Sequence, residues 1–245
     1  MLVRILREMF FGPGRSRKAE TVAAPGENPL AGWFSNHTGR YVSKWDHYLD
    51  IYHRHFARFR GRSPVVLEVG VFHGGSLEMW HDYFGPGCRL YAVDNDPRCK
   101  AFEDEKTKIM IGDQADRGFL AQLRMEVPRA DILVDDGGHF MNQQIATFEE
   151  LYRHVADDGV YLCEDLHTSY WEDFGGGYRK AGSFVEFSKA LIDQLNAWHS
   201  REPDRFQSND FTRATYCMHY YDSVLVIEKR PMSRPRKIVA GRPSF

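Results

Sequence analysis

An α/β fold is predicted, with a doubly wound, mostly parallel seven-stranded sheet and a C-terminal antiparallel hairpin. Two observations carry this. Short apolar runs alternate with amphipathic stretches through the middle of the chain, the pattern of strands joined by crossover helices. The last two apolar runs, in "ATYCMHYYDSVLVIEKR", are separated only by a tight turn at Asp222 and Ser223.

The elements follow in order. In "KWDHYLDIYHRHFARFRGR", Tyr48, Ile51, Tyr52, His55 and Phe59 recur at helical spacing. A helix is therefore expected over Val42 to Arg60, stopped by Ser63 and Pro64. "PVVLEVG" reads as the first strand and "GGSLEMWHDYF" as its helix. "RLYAVDND" and "KIMIGD" are the second and third strands, and "DRGFLAQLRMEV" is the next helix. "ADILVDD" is the fourth strand, followed by the helix "NQQIATFEELYRHV". "GVYLCEDLH" is the fifth strand, and a longer helix runs from Ser183 to His199 before the closing hairpin. In such a sheet, ligands bind in the crevice at the carboxyl ends of the strands.

Composition bounds the rest. The 245 residues are 42% hydrophobic and 14% aromatic, ample for one packed core. A formal charge of -2 gives no case for nucleic acid as the main partner. Cys88, Cys99, Cys163 and Cys217 show neither C-x-x-C nor zinc-ligand spacing, which fits reduced thiols in the cytoplasm. No apolar run reaches the ~18 residues expected of a membrane span. Residues 1–31 read as a basic, amphipathic N-terminal segment and linker. That segment lacks the uninterrupted apolar stretch and cleavage site of a secretory signal; it reads as a frayed terminus, or as a helix that touches a membrane surface or a partner. The compact domain is expected over 32–230, with a flexible basic tail over 231–245.

The first strand ends "LEVGVFHGGS", placing Gly70, Gly74 and Gly75 as G-x-x-x-G-G rather than the dinucleotide fingerprint G-x-G-x-x-G. The second strand ends at Asp94, suited to a ribose diol. The third ends at Asp113, suited to an adenine amino group. Together they describe a nucleoside site without a pyrophosphate. A nicotinamide oxidoreductase competes for this half, but no Tyr-x-x-x-Lys pair occurs. The order resembles that of class I S-adenosylmethionine-dependent methyltransferases, which are Rossmann-like. Their acid-x-Gly-x-x-x-Gly motif is matched by Glu68, Gly70 and Gly74. The resemblance implies that Glu68, His73 and Ser76 lie against the amino-acid part of the cofactor.

The fourth strand ends at Asp135 and Asp136, followed by Gly137, Gly138 and His139; the fifth ends at Glu164 and Asp165. Parallel neighbours lie roughly 5 Å apart, so four carboxylates should share one cleft. Such a cluster repels itself unless a cation balances it, and all-oxygen ligands favour Mg²⁺, Ca²⁺ or Mn²⁺. His139 could serve as general base near neutral pH, or could simply be a polar turn residue. Asp165 could be a ligand or a structural cap. An iron site built from His139, His167 and one acid is a further alternative, and so is a binding protein that keeps the fold without catalysis.

The pair of acid clusters resembles the metal-dependent O-methyltransferases of macrolide sugars and the related rhamnosyl O-methyltransferases. "HTSYW", "KWDHY" and "HYYDSVLVIEK" are similar to stretches of that group. Sequences described as cephalosporin hydroxylases are similar too. The resemblance implies S-adenosylmethionine and Mg²⁺, with Asp136, Glu164 and Asp165 as metal ligands and His139 as base. Asp135 is assigned to the cofactor side. The implied acceptor is a hydroxyl of a sugar, glycolipid, polysaccharide or glycosylated natural product, and a homo-oligomer is expected. Tyr170, Trp171, Phe174 and Tyr178 could form a lid that stacks on a sugar face, or an ordinary surface loop.

Overall fold

The structure is a computed structural model that describes residues 28–202 and 204–244. The amphipathic segment expected at the N-terminus lies outside the described residues, apart from its last four. Those four are not linker: Asn28 caps α1 (Pro29–Asn36) by accepting from the Leu30 amide, Pro29 sits in the first turn, and Leu30 is buried. Residues 231–244 carry no helix or strand.

α2 covers Tyr48–Phe56 and continues as a 3₁₀ turn over Ala57–Phe59. It starts later than the expected Val42. Residues 41–45 take no regular structure, and the Arg40 and Tyr41 carbonyls lie where a side chain on Gly75 would need to be. That course frees Lys44 to point into the sheet rather than along a helix.

The strands are β1 (Val65–Val69), β2 (Arg89–Asp94), β3 (Thr107–Ile111), β4 (Ala130–Asp135), β5 (Val155–Cys163), β6 (Thr215–Tyr221) and β7 (Val224–Lys229). Their order is β3-β2-β1-β4-β5-β7-β6. β7 runs antiparallel to both neighbours and lies between β5 and β6. The hairpin thus extends the sheet by two strands, as the alternating pattern predicts. Residues alternate between the two faces. Val66, Ile132, Val134, Leu162 and Val226 pack with α2 and α3 (Gly75–Phe84). Leu67, Leu133, Tyr161 and Ile227 pack with α4 (Arg117–Glu126), α5 (Met141–Leu151) and α6 (Phe184–Asn196). A short helix missed by sequence patterning, α7 (Asp210–Ala214), is capped by Asn209.

The strand order reverses between β1 and β4, which opens the crevice there. The register sets Val69 opposite Asp135, and Asp135 opposite Cys163, so β1, β4 and β5 end level. Gly70 has φ +101°, and a Cβ there would stand 2.0 Å from the Asp136 carbonyl oxygen. Only glycine lets the two chain ends pass this closely.

Candidate active site

The acids at the ends of β4 and β5 meet three side chains from the N-terminal elements. Lys44 Nζ, whose side chain is 3% exposed, donates to Asp136 Oδ2 and, at 2.8 Å, to Glu164 Oε2. Tyr52 donates to Glu164 Oε1 at 2.7 Å, and Tyr48 to Asp165 Oδ1 at 2.7 Å. Burial pushes the Glu164 carboxyl up, Asp136 adds to this, and Lys44 opposes it. Burial alone would discharge Lys44, but Asp136 and Glu164 outweigh it and keep the ammonium charged. Burial also raises Asp165, yet His139, the Tyr48 hydroxyl, His167 and Lys44 together hold it below its ordinary value.

His139 and Asp165 both occupy the left-handed region, at φ +59° and +55°. Strain of this kind persists where the surroundings fix it. Here Thr168 Oγ1 donates to the His139 carbonyl at 3.0 Å, and the Asp165 amide donates to Tyr48 at 3.3 Å. His139 Nε2 lies 3.4 Å from Asp165 Oδ2 and 3.9 Å from Asp136 Oδ1. One donor atom each from Asp136, His139 and Asp165 fall within 4.8 Å of one another. Buried His139 Nδ1 has no hydrogen-bond partner among the described residues. Glu164 stands behind this group, engaged by Lys44 and Tyr52. His167 is outside it: its Nδ1 meets Ser223 Oγ at 2.5 Å, and its ring lies between Trp45 and Trp171. His167 Nδ1 also lies 4.0 Å from Asp165 Oδ1, but among the described residues the two histidines do not share one group of donor atoms.

On the β1 side, Glu68 is fully buried and accepts from Ser76 Oγ (2.9 Å) and Trp80 Nε1 (3.0 Å). Burial pushes its carboxyl up to about 7. The folded value lies above the ordinary 4.5, so this carboxyl should lower stability as pH rises from 4.5 to about 7. That window is worth about 3 kcal/mol. Glu68→Gln should flatten that slope in urea melts across this range, and an unchanged slope would show that Glu68 is not its source.

Asp94 accepts from the Val71 and Phe72 amides on Oδ2 and from the Asp96 amide on Oδ1, each at 2.9 Å, and so braces the glycine loop. Oδ1 retains capacity for a ligand hydroxyl. Gly74, at φ +76°, lets this loop turn beneath Phe102. His73 is exposed beside Tyr41 and Phe72. Asp113, one residue beyond Gly112, whose amide donates to the Asp94 carbonyl, is exposed and accepts from the Ala115 amide. Asp135 is buried beneath the cleft, held by Gln114 at 2.5 Å, and burial raises it to about 8.

Lys44, Tyr48, Tyr52 and Gln114 were not expected at the site. The available signal was the four-residue spacing of Tyr48 and Tyr52, which sets two hydroxyls on one side of α2; Lys44, which precedes the helix, gave none. Tyr170, Trp171 and Tyr178 are exposed; Trp171 also packs on His167, and Phe174 packs on Phe140.

No family model matches the chain. Demethylmacrocin O-methyltransferase of Streptomyces fradiae is 32% identical over 206 residues, 78% of this chain and 52% of the relative. Mycinamicin VI 2''-O-methyltransferase of Micromonospora griseorubida is 34% identical over 191 residues, 73% of this chain and 47% of the relative. The crystal structure of the MycE methyltransferase of the mycinamycin pathway, in complex with Mg and SAH, superposes with a TM-score of 0.74 at 27% identity. That match covers 85% of this chain and 55% of MycE. The chain thus spans about half the length of the curated relatives it matches. By sequence and by its seven-stranded sheet, the chain is a homologue of the sugar O-methyltransferases of macrolide pathways and has their class I S-adenosylmethionine-dependent methyltransferase fold.

Proposed function

We propose that the protein is an S-adenosylmethionine- and Mg²⁺-dependent O-methyltransferase acting on a hydroxyl of a sugar or glycosylated small molecule. The observation that carries this reading is the convergence of Asp136, His139 and Asp165 beside the Gly70 turn, at the switch point of the sheet. The donor set fits a hard divalent cation. Three carboxylates, Asp136, Glu164 and Asp165, face one lysine, leaving negative charge to balance. Asp136, Glu164 and Asp165 would hold Mg²⁺. Glu68, Gly70, His73, Gly74, Ser76, Asp94, Asp113 and Asp135 would surround the cofactor. When bound, the cofactor supplies an electrophilic methyl group and the metal supplies Lewis acidity.

The chain's own residues do the rest. His139 removes the acceptor hydroxyl proton at its imidazole nitrogen. Asp165, 3.4 Å away, steadies the imidazolium that results. Tyr48 fixes Asp165, and Lys44 places its ammonium against both Asp136 and Glu164. Trp45 and Trp171 form an aromatic wall around His167 on which a sugar face can stack. Much of the rate should come from holding donor and acceptor in contact. This reading includes a cytoplasmic homo-oligomer with no nucleic-acid partner, whose N-terminal segment contacts a membrane surface if the acceptor is lipid-linked. No helix among the described residues is long and apolar enough to cross a membrane.

The test is calorimetric titration of metal-stripped protein with S-adenosylhomocysteine and with NADH, followed by a panel of rhamnosides and glycosylated macrolides with and without Mg²⁺. Micromolar binding of S-adenosylhomocysteine, no NADH signal and Mg²⁺-stimulated methylation are expected. Folded protein that fails to bind S-adenosylhomocysteine would overturn the reading.

A further inference from the structure

We propose that His55, Cys217, His219 and Glu228 form a second metal site, for a transition-metal cation of the zinc class, that ties α2 to the β6–β7 hairpin. Three elements converge there. His55 lies in the last turn of α2 and is buried. Cys217 and His219, two residues apart on β6, share one side of the sheet. Glu228 stands opposite Cys217 in the β6–β7 register.

The donor atoms are close together. His55 Nδ1 lies 2.7 Å from Glu228 Oε1. Cys217 Sγ lies 3.1 Å from His219 Nε2 and 3.7 Å from Glu228 Oε2. The ligand atoms of His55, His219 and Glu228 fall within 4.8 Å of one another. Bonds of ~2.0–2.3 Å to a tetrahedral zinc place its donors roughly 3.3–3.8 Å apart. His55, His219 and Glu228 form the compact group, and Cys217 Sγ, beside His219 and Glu228, turns in to complete it. Two imidazoles, a sulfur and one carboxylate select zinc-class ions over Mg²⁺ or Ca²⁺.

The surroundings also fit. His55 Nε2 pairs with the Tyr221 hydroxyl at 2.9 Å, which orients the ring and leaves Nδ1 toward the cluster. β6 is the edge strand, and Cys217, His219 and Glu228 are partly exposed, so an ion can enter. His55 lies seven residues after Tyr48, roughly 10 Å along the helix axis, so this cluster is separate from the acids at the ends of β4 and β5. An ion here would fix α2 against the hairpin whose turn carries Ser223, the partner of His167.

The test uses the full chain, stripped with EDTA and titrated with Co²⁺ alone. One of the equivalents bound should show tetrahedral d–d bands and a near-ultraviolet thiolate-to-cobalt charge-transfer band, distinct from any Co²⁺ held by oxygens at the other cluster. Cys217→Ser should lose the charge-transfer band. His219→Ala should weaken Zn²⁺ binding, measured against a chelating dye, roughly 100-fold. Asp136→Asn, in the other cluster, should leave both signals in place. Absence of the charge-transfer band in folded wild-type protein, or its survival in Cys217→Ser, would overturn the proposal. If either variant misfolds, Glu228→Gln serves instead and should also weaken Zn²⁺ binding; unchanged affinity in that variant would count against the site.

Discussion

Lys44→Met should lower stability in EDTA by about 3–5 kcal/mol, the usual cost of removing one partner from a buried ion pair. For a chain of 245 residues, that corresponds to a fall in Tm of about 10 °C. The reason is the company Lys44 keeps. Its side chain is 3% exposed, its ammonium touches Asp136 and Glu164, and the Glu164 side chain is only 1% exposed. Without it, two carboxylates face each other with no cation, and Glu164 must take up a proton or repel Asp136. Methionine keeps the length and apolar stem, so the loss reports charge rather than volume. Added Mg²⁺ should recover most of the deficit if the acids bind it. Lys44→Arg should lose far less than Lys44→Met. Thermal melts with and without EDTA decide this. A Lys44→Met variant that melts with wild type in EDTA would show that Lys44 does not balance the acids.

That lysine also marks the limit of what the sequence made legible. The strands ending in Gly70, Asp94, Asp136 and Glu164 were readable because apolar runs followed by acids or glycine form a local pattern. The acids therefore fell where the switch point falls. Lys44 had no such pattern. It precedes its helix, and its partners lie 92 and 120 residues away. Tyr48 and Tyr52 read as apolar core because their rings recur at helical spacing. Their hydroxyls find Asp165 and Glu164 only once α2 packs on the sheet. Gln114 was hidden for a similar reason, since it looks like loop yet lies buried on Asp135. The start of α2 was misplaced because periodicity counted residues from Val42 onward as helix. Packing of the Arg40–Tyr41 backbone against Gly75 accompanies the irregular course of that segment.

His139→Ala should lower methyl transfer by roughly 100- to 10,000-fold, the usual contribution of a positioned general base. Binding of S-adenosylhomocysteine should stay within about threefold of wild type, because the glycine loop and Asp94 do not depend on the imidazole. Alanine at φ +59° carries the same left-handed backbone strain as histidine, so the melting temperature of the variant is measured beside its rate. What distinguishes a base from a metal ligand is the residual rate. If His139 removes the proton, the residual rate should rise with pH as hydroxide substitutes for it, while stimulation by Mg²⁺ persists. If His139 instead completes the metal site with Asp136 and Asp165, Mg²⁺ stimulation should vanish in His139→Ala as it should in Asp136→Asn. The measurement is the rate of labelled methyl transfer to whichever glycoside the wild type accepts, taken across pH at several Mg²⁺ concentrations. Full activity would remove His139 from the chemistry.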